Sequence, residues 1–211
     1  MVRKADIPNH IVKTALSLAA NQGWRDTTLG DIADTAKLSL GELLAIYPTK
    51  AAIVAAYSRQ IDSQVLKAID SDLAGEPPRD RLFDVMMRRF DALEPDRDGL
   101  RSIIHASLCD PVSAVCGALS LRRSMIVMLE AASISASGLR GLVRVKGLAA
   151  IFLSVLRVWL NDDSEDMAQT MSALDRGLRR AELVMGCCRF PPRWKTEATA
   201  EPEAEPEAGP A

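Results

Sequence analysis

The chain has 211 residues, enough for one large or two small domains with a sizeable core. Aromatic residues make up only 4%, against abundant Leu, Ala, Arg, Asp and Glu, which fits an α-helical protein, and the net charge of −2 excludes a globally basic nucleic-acid binder. Four cysteines (Cys109, Cys116, Cys187 and Cys188) show neither metal-ligand spacing nor a disulfide framework, so reduced thiols in a cytoplasmic protein are expected.

Residues 1–50 carry six Lys/Arg against five Asp/Glu, a faintly positive start. The N-terminus MVRKADIPNH lacks the apolar run of a secretory signal. A first helix is predicted over 7–22, with Asp6 as its cap and Pro8 in its first turn. Ile11, Ala15, Leu18 and Ala19 form its inward face, His10 its surface side, and Gly23 its stop. Trp24 is expected to plug the base of a three-helix head, a core role.

Thr28 to Lys50 holds two short helices with their own start signals. Thr28 stands three residues before Asp31, and Ser39 three before Glu42, the spacing of a capping box. Apolar residues then recur at helical period: Leu29, Ile32, Ala33 and Ala36 in the first helix, Leu40, Leu43, Leu44 and Tyr47 in the second. Pro48 ends the run. Only Lys37 and Leu38 remain for the connection, so the helices turn sharply on each other as a helix-turn-helix.

Thr49 is predicted to cap a long helix to about residue 74, with Ile53, Val54, Tyr57, Ile61, Val65, Leu66 and Ile69 on its apolar side. The breaker Gly75-Glu76-Pro77-Pro78 marks a boundary. Helices are then expected over 79–93, 98–109, 111–132 and 139–160. A last helix, capped by Asp163 or Ser164, runs to about 185. The division is a 1–50 head, a 51–74 connecting helix, a 79–186 body and a 187–211 tail. That tail is rich in Pro, Ala and Glu and expected to be disordered. The segment 142–160 is the most apolar, but Arg144, Lys146 and Arg157 interrupt it, so no transmembrane span is expected.

No catalytic constellation is visible, and no cofactor or metal is implied. His10 and His105 lie in different domains, and the pair His105/Cys109 at i, i+4 supplies two ligands, which do not make a site. The carboxylates Asp162, Asp163, Glu165 and Asp166 cluster where a helix start favours negative charge. Met86, Met87, Met125, Met128, Met167 and Met171, with Phe90 and Phe152, recur at helical spacing. Such a stripe reads either as plain core or as the lining of an apolar pocket between helices.

Residues 8–60 resemble the N-terminal domain of the TetR family of bacterial one-component regulators. The resemblance is carried by the helix 8–22, Gly23-Trp24, Thr28, Ile32-Ala33, Ala36, Leu38-Ser39, Gly41, Leu43, Tyr47 and Lys50. It implies an all-α, TetR-like fold of about nine helices, with a three-helix head over a helical ligand-binding and dimerisation body. It further implies a homodimer formed through the last two helices, double-stranded operator DNA as partner, and a small apolar or amphipathic ligand. On this reading Thr28, Lys37, Ser39, Leu40, Gly41, Leu44, Tyr47 and Lys50 face DNA, with Arg3 and Lys4 as an arm. Met86, Phe90, His105, Met125, Met128 and Phe152 line the ligand pocket. The chain departs from the family in the second helix of the pair, at Glu42, Leu44 and Ile46, with Tyr47 in place of the usual Phe. Leu44, Ala45 and Ile46 can touch a thymine methyl but cannot bond purine edges.

A second resemblance covers Val158–Glu182, which is similar to the last helical pair of the TetR-like accessory family of coenzyme Q biosynthesis. It implies an alternative, an isoprenoid-lipid-binding protein whose head does not read DNA. The chain departs from that family at its end, where residues 187–211 are too proline-rich and acidic for the expected membrane-binding helix.

Overall fold

A computed structural model of the chain describes residues 6–69, 75–107, 109–164 and 166–187. The arm residues Arg3 and Lys4 and the tail from 188 lie outside this set, as do residues 70–74. Among the described residues there are nine α-helices and no strand.

The head comprises α1 (Ile7–Asn21), α2 (Leu29–Thr35) and α3 (Leu40–Ile46). Helix α1 buries Ile11, Val12, Ala15, Leu16 and Ala19, while Leu18 is only partly covered. Asp6 holds the cap position but its side chain makes no capping bond, contrary to expectation; Pro8 in the first turn removes one donor that would have needed one. After α1, Gly23 takes φ +93°, a conformation that suits glycine, and Trp24 folds into the core.

Helix α4 (Lys50–Lys67) leaves the head, with the Thr49 hydroxyl accepting from the Ala52 N–H. It ends earlier than the sequence period suggests, and Leu66 is exposed. The body follows as α5 (Pro78–Leu93), α6 (Arg97–Ser107), α7 (Pro111–Ala131), α8 (Gly138–Trp159) and α9 (Ala168–Cys187), with a short 3₁₀ turn Glu94–Asp96 between α5 and α6. Helix α4 packs against α5 and α7, α8 against α7 and α9, and α5 against α9. The predicted inward face of α5 (Leu82, Val85, Met86, Phe90, Leu93) is buried throughout.

Among the described residues the helix long and apolar enough to cross a membrane is α7, not the 142–160 segment: an 18-residue window in it has mean hydropathy 1.5. Only 22% of that window is buried, although α7 packs along α4, α5, α6 and α8.

One contact was not anticipated. Helix α6 packs along α1, so the head rests on the body as well as on α4. The approach is close enough that a Cβ built on Gly99 would stand 2.7 Å from the Leu16 carbonyl oxygen. Beside it, the Trp24 N–H donates to Ser102 Oγ at 2.7 Å.

Candidate nucleic-acid interface and ligand groove

Both capping boxes form. Thr28 Oγ1 accepts from the Asp31 N–H (3.1 Å) while Asp31 Oδ2 accepts from the Thr28 N–H (2.7 Å). Ser39 Oγ accepts from the Glu42 N–H (3.3 Å) while Glu42 Oε2 accepts from the Ser39 N–H (2.9 Å). Each hydroxyl also donates to its carboxylate. These bonds hold the Asp31 and Glu42 carboxyls below their usual range, so both are anionic at neutral pH.

The turn between α2 and α3 closes tightly because Lys37 adopts φ +57°. The Leu38 N–H then bonds the Ala33 carbonyl and the Lys37 N–H bonds that of Asp34, the paired bonds of a Schellman ending. Leu38 packs against the core, and Lys37 points to solvent.

Helix α3 is anchored by little. Leu43 is fully buried and Tyr47, just past its end, is 8% exposed; burial pushes the Tyr47 phenol above its usual range. The expected inward pair Leu40 and Leu44 is instead exposed, at 46% and 40%, with Ile46 beside them. A seven-residue helix resting on α2 can seat only one row of side chains, and Leu43 and Tyr47 fill it. Gly41 looks onto open space. The outward face of α3 is therefore small and apolar, with Glu42 as its one charge.

Thr28, Lys37 and Ser39 are also exposed. Lys50, expected to meet phosphate, instead turns inward. Its ammonium donates to the carbonyls of Trp24 and Thr27 (2.6 Å for the latter) and lies 4.6 Å from the Trp24 ring centroid. Burial lowers its pKa, opposed by the nearby charges of Asp26 and Asp31. In this arrangement it ties α4 to the loop after α1.

In the body, Met86, Phe90, Met125, Met128 and Phe152 belong to the buried core. Phe90 stacks on Phe152 at 5.4 Å and meets Trp159 at 5.9 Å. His105 does not join them. Helix α6 turns Gly99 and Ile103 inward toward α1, and two residues on from Ile103 the imidazole faces solvent. Trp159 is fully buried, donates to Glu94 Oε2 at 2.9 Å, and lies under the Arg97 guanidinium.

Sequence reasoning missed the group that fastens α4 to this core. Asp62 on α4 accepts from Arg89 of α5 and from Ser124 of α7, each at 2.5 Å, and all three are buried. The Arg89 guanidinium also lies over the Phe152 ring, 5.4 Å from its centroid. Asp62 broke the apolar period of α4, and that break was the available signal. Next to it, α4 and α7 enclose a groove of about 380 Å³ lined by Ala52, Ala55, Ser58, Arg59, Asp62, Cys116, Leu119, Ser120 and Arg123, among others. Among the described residues no group of three or more His, Cys, Asp or Glu side chains could hold a metal.

The 158–182 stretch has a structural account. Asp162, fully buried, accepts from the Thr170 N–H and hydroxyl and from the Ser164 hydroxyl, so it, with Ser164, caps α9 in place of Asp163. Burial alone would raise the Asp162 carboxyl, but these bonds outweigh it and hold it at about 2. Leu174 is core, and Asp175 pairs with Arg79 and Arg179.

No family model and no curated protein matches the chain. Solved structures do. A TetR transcriptional regulator from Nitrosomonas europaea ATCC 19718 is 26% identical with a TM-score of 0.68, covering 83% of this chain and 98% of that one. A TetR transcriptional regulator from Rhodococcus sp. RHA1 is 20% identical with a TM-score of 0.62, covering 87% and 99%. FadR of Thermus thermophilus, a TetR family transcriptional repressor in complex with lauroyl-CoA, is 22% identical with a TM-score of 0.59, covering 95% and 100%. The coenzyme Q accessory resemblance finds no support among them. The chain has the fold of the TetR family of transcriptional regulators, head and body alike.

Proposed function

We propose that the protein is a soluble, cytoplasmic, non-enzymatic regulator of transcription. It acts as a homodimer whose two heads enter successive major grooves of a palindromic operator. The observation that carries this reading is the exposed face of α3. A helix with two formed capping boxes at its pair, a tight αL turn before it, and Leu40, Gly41, Leu44 and Ile46 left uncovered suits insertion into a groove. Recognition there rests on shape and on contact with thymine methyls rather than on bidentate bonds to purines. Thr28, Lys37 and Ser39 contribute backbone contacts, with Tyr47 and Lys50 holding α3 and α4 in place.

Dimerisation runs through α8 and α9, where Leu139, Val143 and Leu153 and, on α9, Leu183 are exposed. An amphipathic small molecule bound in the body shifts the spacing of the two heads through α4. Binding of lauroyl-CoA by the Thermus thermophilus repressor supports that class of ligand.

The test is binding of the purified protein to DNA from upstream of its own gene across a salt series. Sequence-selective binding, weakened by more than about tenfold in Leu44→Glu, is expected. Because Leu44 is exposed, that variant melts within about 0.5 kcal/mol of the parent. Absence of selective binding at low salt would overturn the reading.

A further inference from the structure

Met86, Phe90, Met125, Met128 and Phe152 are buried in the core, whereas the groove between α4 and α7 is open to solvent. From its lining we infer that this groove binds a small amphipathic anion, an alkyl chain ending in a carboxylate or phosphate. The inference rests on the regulatory reading above and gives it a ligand class and a place.

Charge is the first ground. Arg59 from the α4 wall and Arg123 from the α7 wall both line the groove. Among the described residues neither makes an ion pair or a side-chain hydrogen bond. The carboxylate in the lining, Asp62, is already neutralised by Arg89. The groove thus presents two guanidinium groups with no anion to meet them, in a chain whose net charge is −2. Guanidinium forks match carboxylate and phosphate oxygens.

Shape and polarity are the second ground. Apart from the arginines and Asp62, the lining is mostly short and apolar, Ala51, Ala52, Ala55, Cys116 and Leu119, with the hydroxyls of Thr49, Ser58 and Ser120 beside them. A smaller hollow of about 40 Å³ continues the groove past Cys116 and Ser120 toward Trp24. The main volume of about 380 Å³ lies toward the small end of the range for ligand sites, about 300–1,000 Å³. An alkyl tail fits the Ala/Leu wall and its head group the two arginines.

Position gives the site its consequence. Helix α4 is held to the head by Lys50 and to the body by Asp62, and the groove opens along the α4 surface between those two attachments. A ligand wedged between α4 and α7 loads that span directly.

Cys116 supplies the assay, since its thiol lines both hollows and is exposed. In a full-length chain carrying Cys109→Ala, Cys187→Ala and Cys188→Ala, the rate of Cys116 alkylation by N-ethylmaleimide is measured with sodium decanoate, decyl phosphate, decanol and decyltrimethylammonium below their micelle concentrations. At ten times its Kd an occupying ligand slows alkylation by about tenfold, following 1 + [L]/Kd. Protection by decanoate or decyl phosphate, lost in Arg59→Gln and in Arg123→Gln, is the expected result, and the stronger of the two anions names the head group. Equal protection by decanol or by the cation, no protection by either anion, or protection that survives both glutamine variants overturns the inference. Both arginines are exposed, so the variants keep the fold. No DNA is present in the assay. A protein that binds no operator therefore leaves this result standing, and an unprotected Cys116 in a protein that does bind its operator sinks the inference alone.

Discussion

The Lys50 ammonium sits 4.6 Å from the centroid of the Trp24 indole and donates to the carbonyl of that same residue. One lysine thus joins the start of α4 to the loop that closes α1, using both faces of chemistry available to a cation, hydrogen bonding and attraction to a ring. Lys50→Met keeps the methylene stem but removes the donors, leaving the Trp24 and Thr27 carbonyls short of a partner. It is expected to lower stability by about 1–3 kcal/mol in urea melts. If Lys50 worked only as a surface phosphate contact, the melt would not move and the salt slope of DNA binding would fall by about 1.

Asp62, Arg89 and Ser124 bring three helices to one buried point. Desolvation pulls the Arg89 pKa down, with Asp62 opposing it, so the charge depends on its partner. Asp62→Ala strands that guanidinium and is expected to cost about 3–5 kcal/mol. Replacing the pair together, Asp62→Leu with Arg89→Met, is expected to cost much less, because no lone buried charge remains. A double variant as unstable as Asp62→Ala would mean that packing, not charge, fastens α4.

Glu42 stabilises α3 but carries a negative charge beside the surface proposed to meet DNA. Glu42→Gln keeps an oxygen for the Ser39 N–H and removes the charge. The expected outcome is a slightly lower melting temperature, tighter DNA binding at low salt, and a salt slope steeper by about 1 in electrophoretic shift assays. Glu42→Ala removes the charge and half the capping box together, so its difference from Glu42→Gln isolates the contribution of the cap.

Asp162 makes stability depend on acidity. Its carboxyl lies at about 2 in the folded protein against an ordinary 3.8, so the folded state favours the ionised form. The contribution is complete above 3.8 and is lost as pH falls from there toward 2. Asp162→Asn should flatten the pH dependence of stability in that window relative to the parent, as read from thermal melts at stepped pH. An unchanged slope would assign the acid sensitivity elsewhere. Asp162→Ala, which removes the acceptor for the Thr170 N–H, is expected to cost about 0.5–2 kcal/mol at neutral pH.

Local chemistry was the legible part of this chain. Both capping boxes, the Gly23 stop, the breaker before α5 and the inward face of α5 follow from side chains within a few residues of each other. The errors arose where tertiary partners decide. Leu40 and Leu44 have the period of buried residues, yet no described element covers α3 on that side. His105 has a plausible place in a pocket until α6 is turned toward α1. Lys50 reads as a free cation at a helix start because the carbonyls that claim it lie more than twenty residues back. The α4–α7 groove was invisible for the same reason. Its two arginines lie more than sixty residues apart in the chain, and nothing local links Arg59 to Arg123.

The missing side chain at Gly99 has a consequence for anyone recombining such proteins. Heads and bodies of this architecture invite exchange at the start of α4, so that one body's ligand reports through another's operator. Here the Leu16 carbonyl occupies the space in which any other residue at 99 would carry its Cβ. A chimaera cut at that seam would set this head on a foreign α6, and a bulkier residue there would prop α1 away from its seat. Residues 97–107 belong with the head in any such graft, although α5 and the turn after it, residues 78–96 of the body, precede them in the chain.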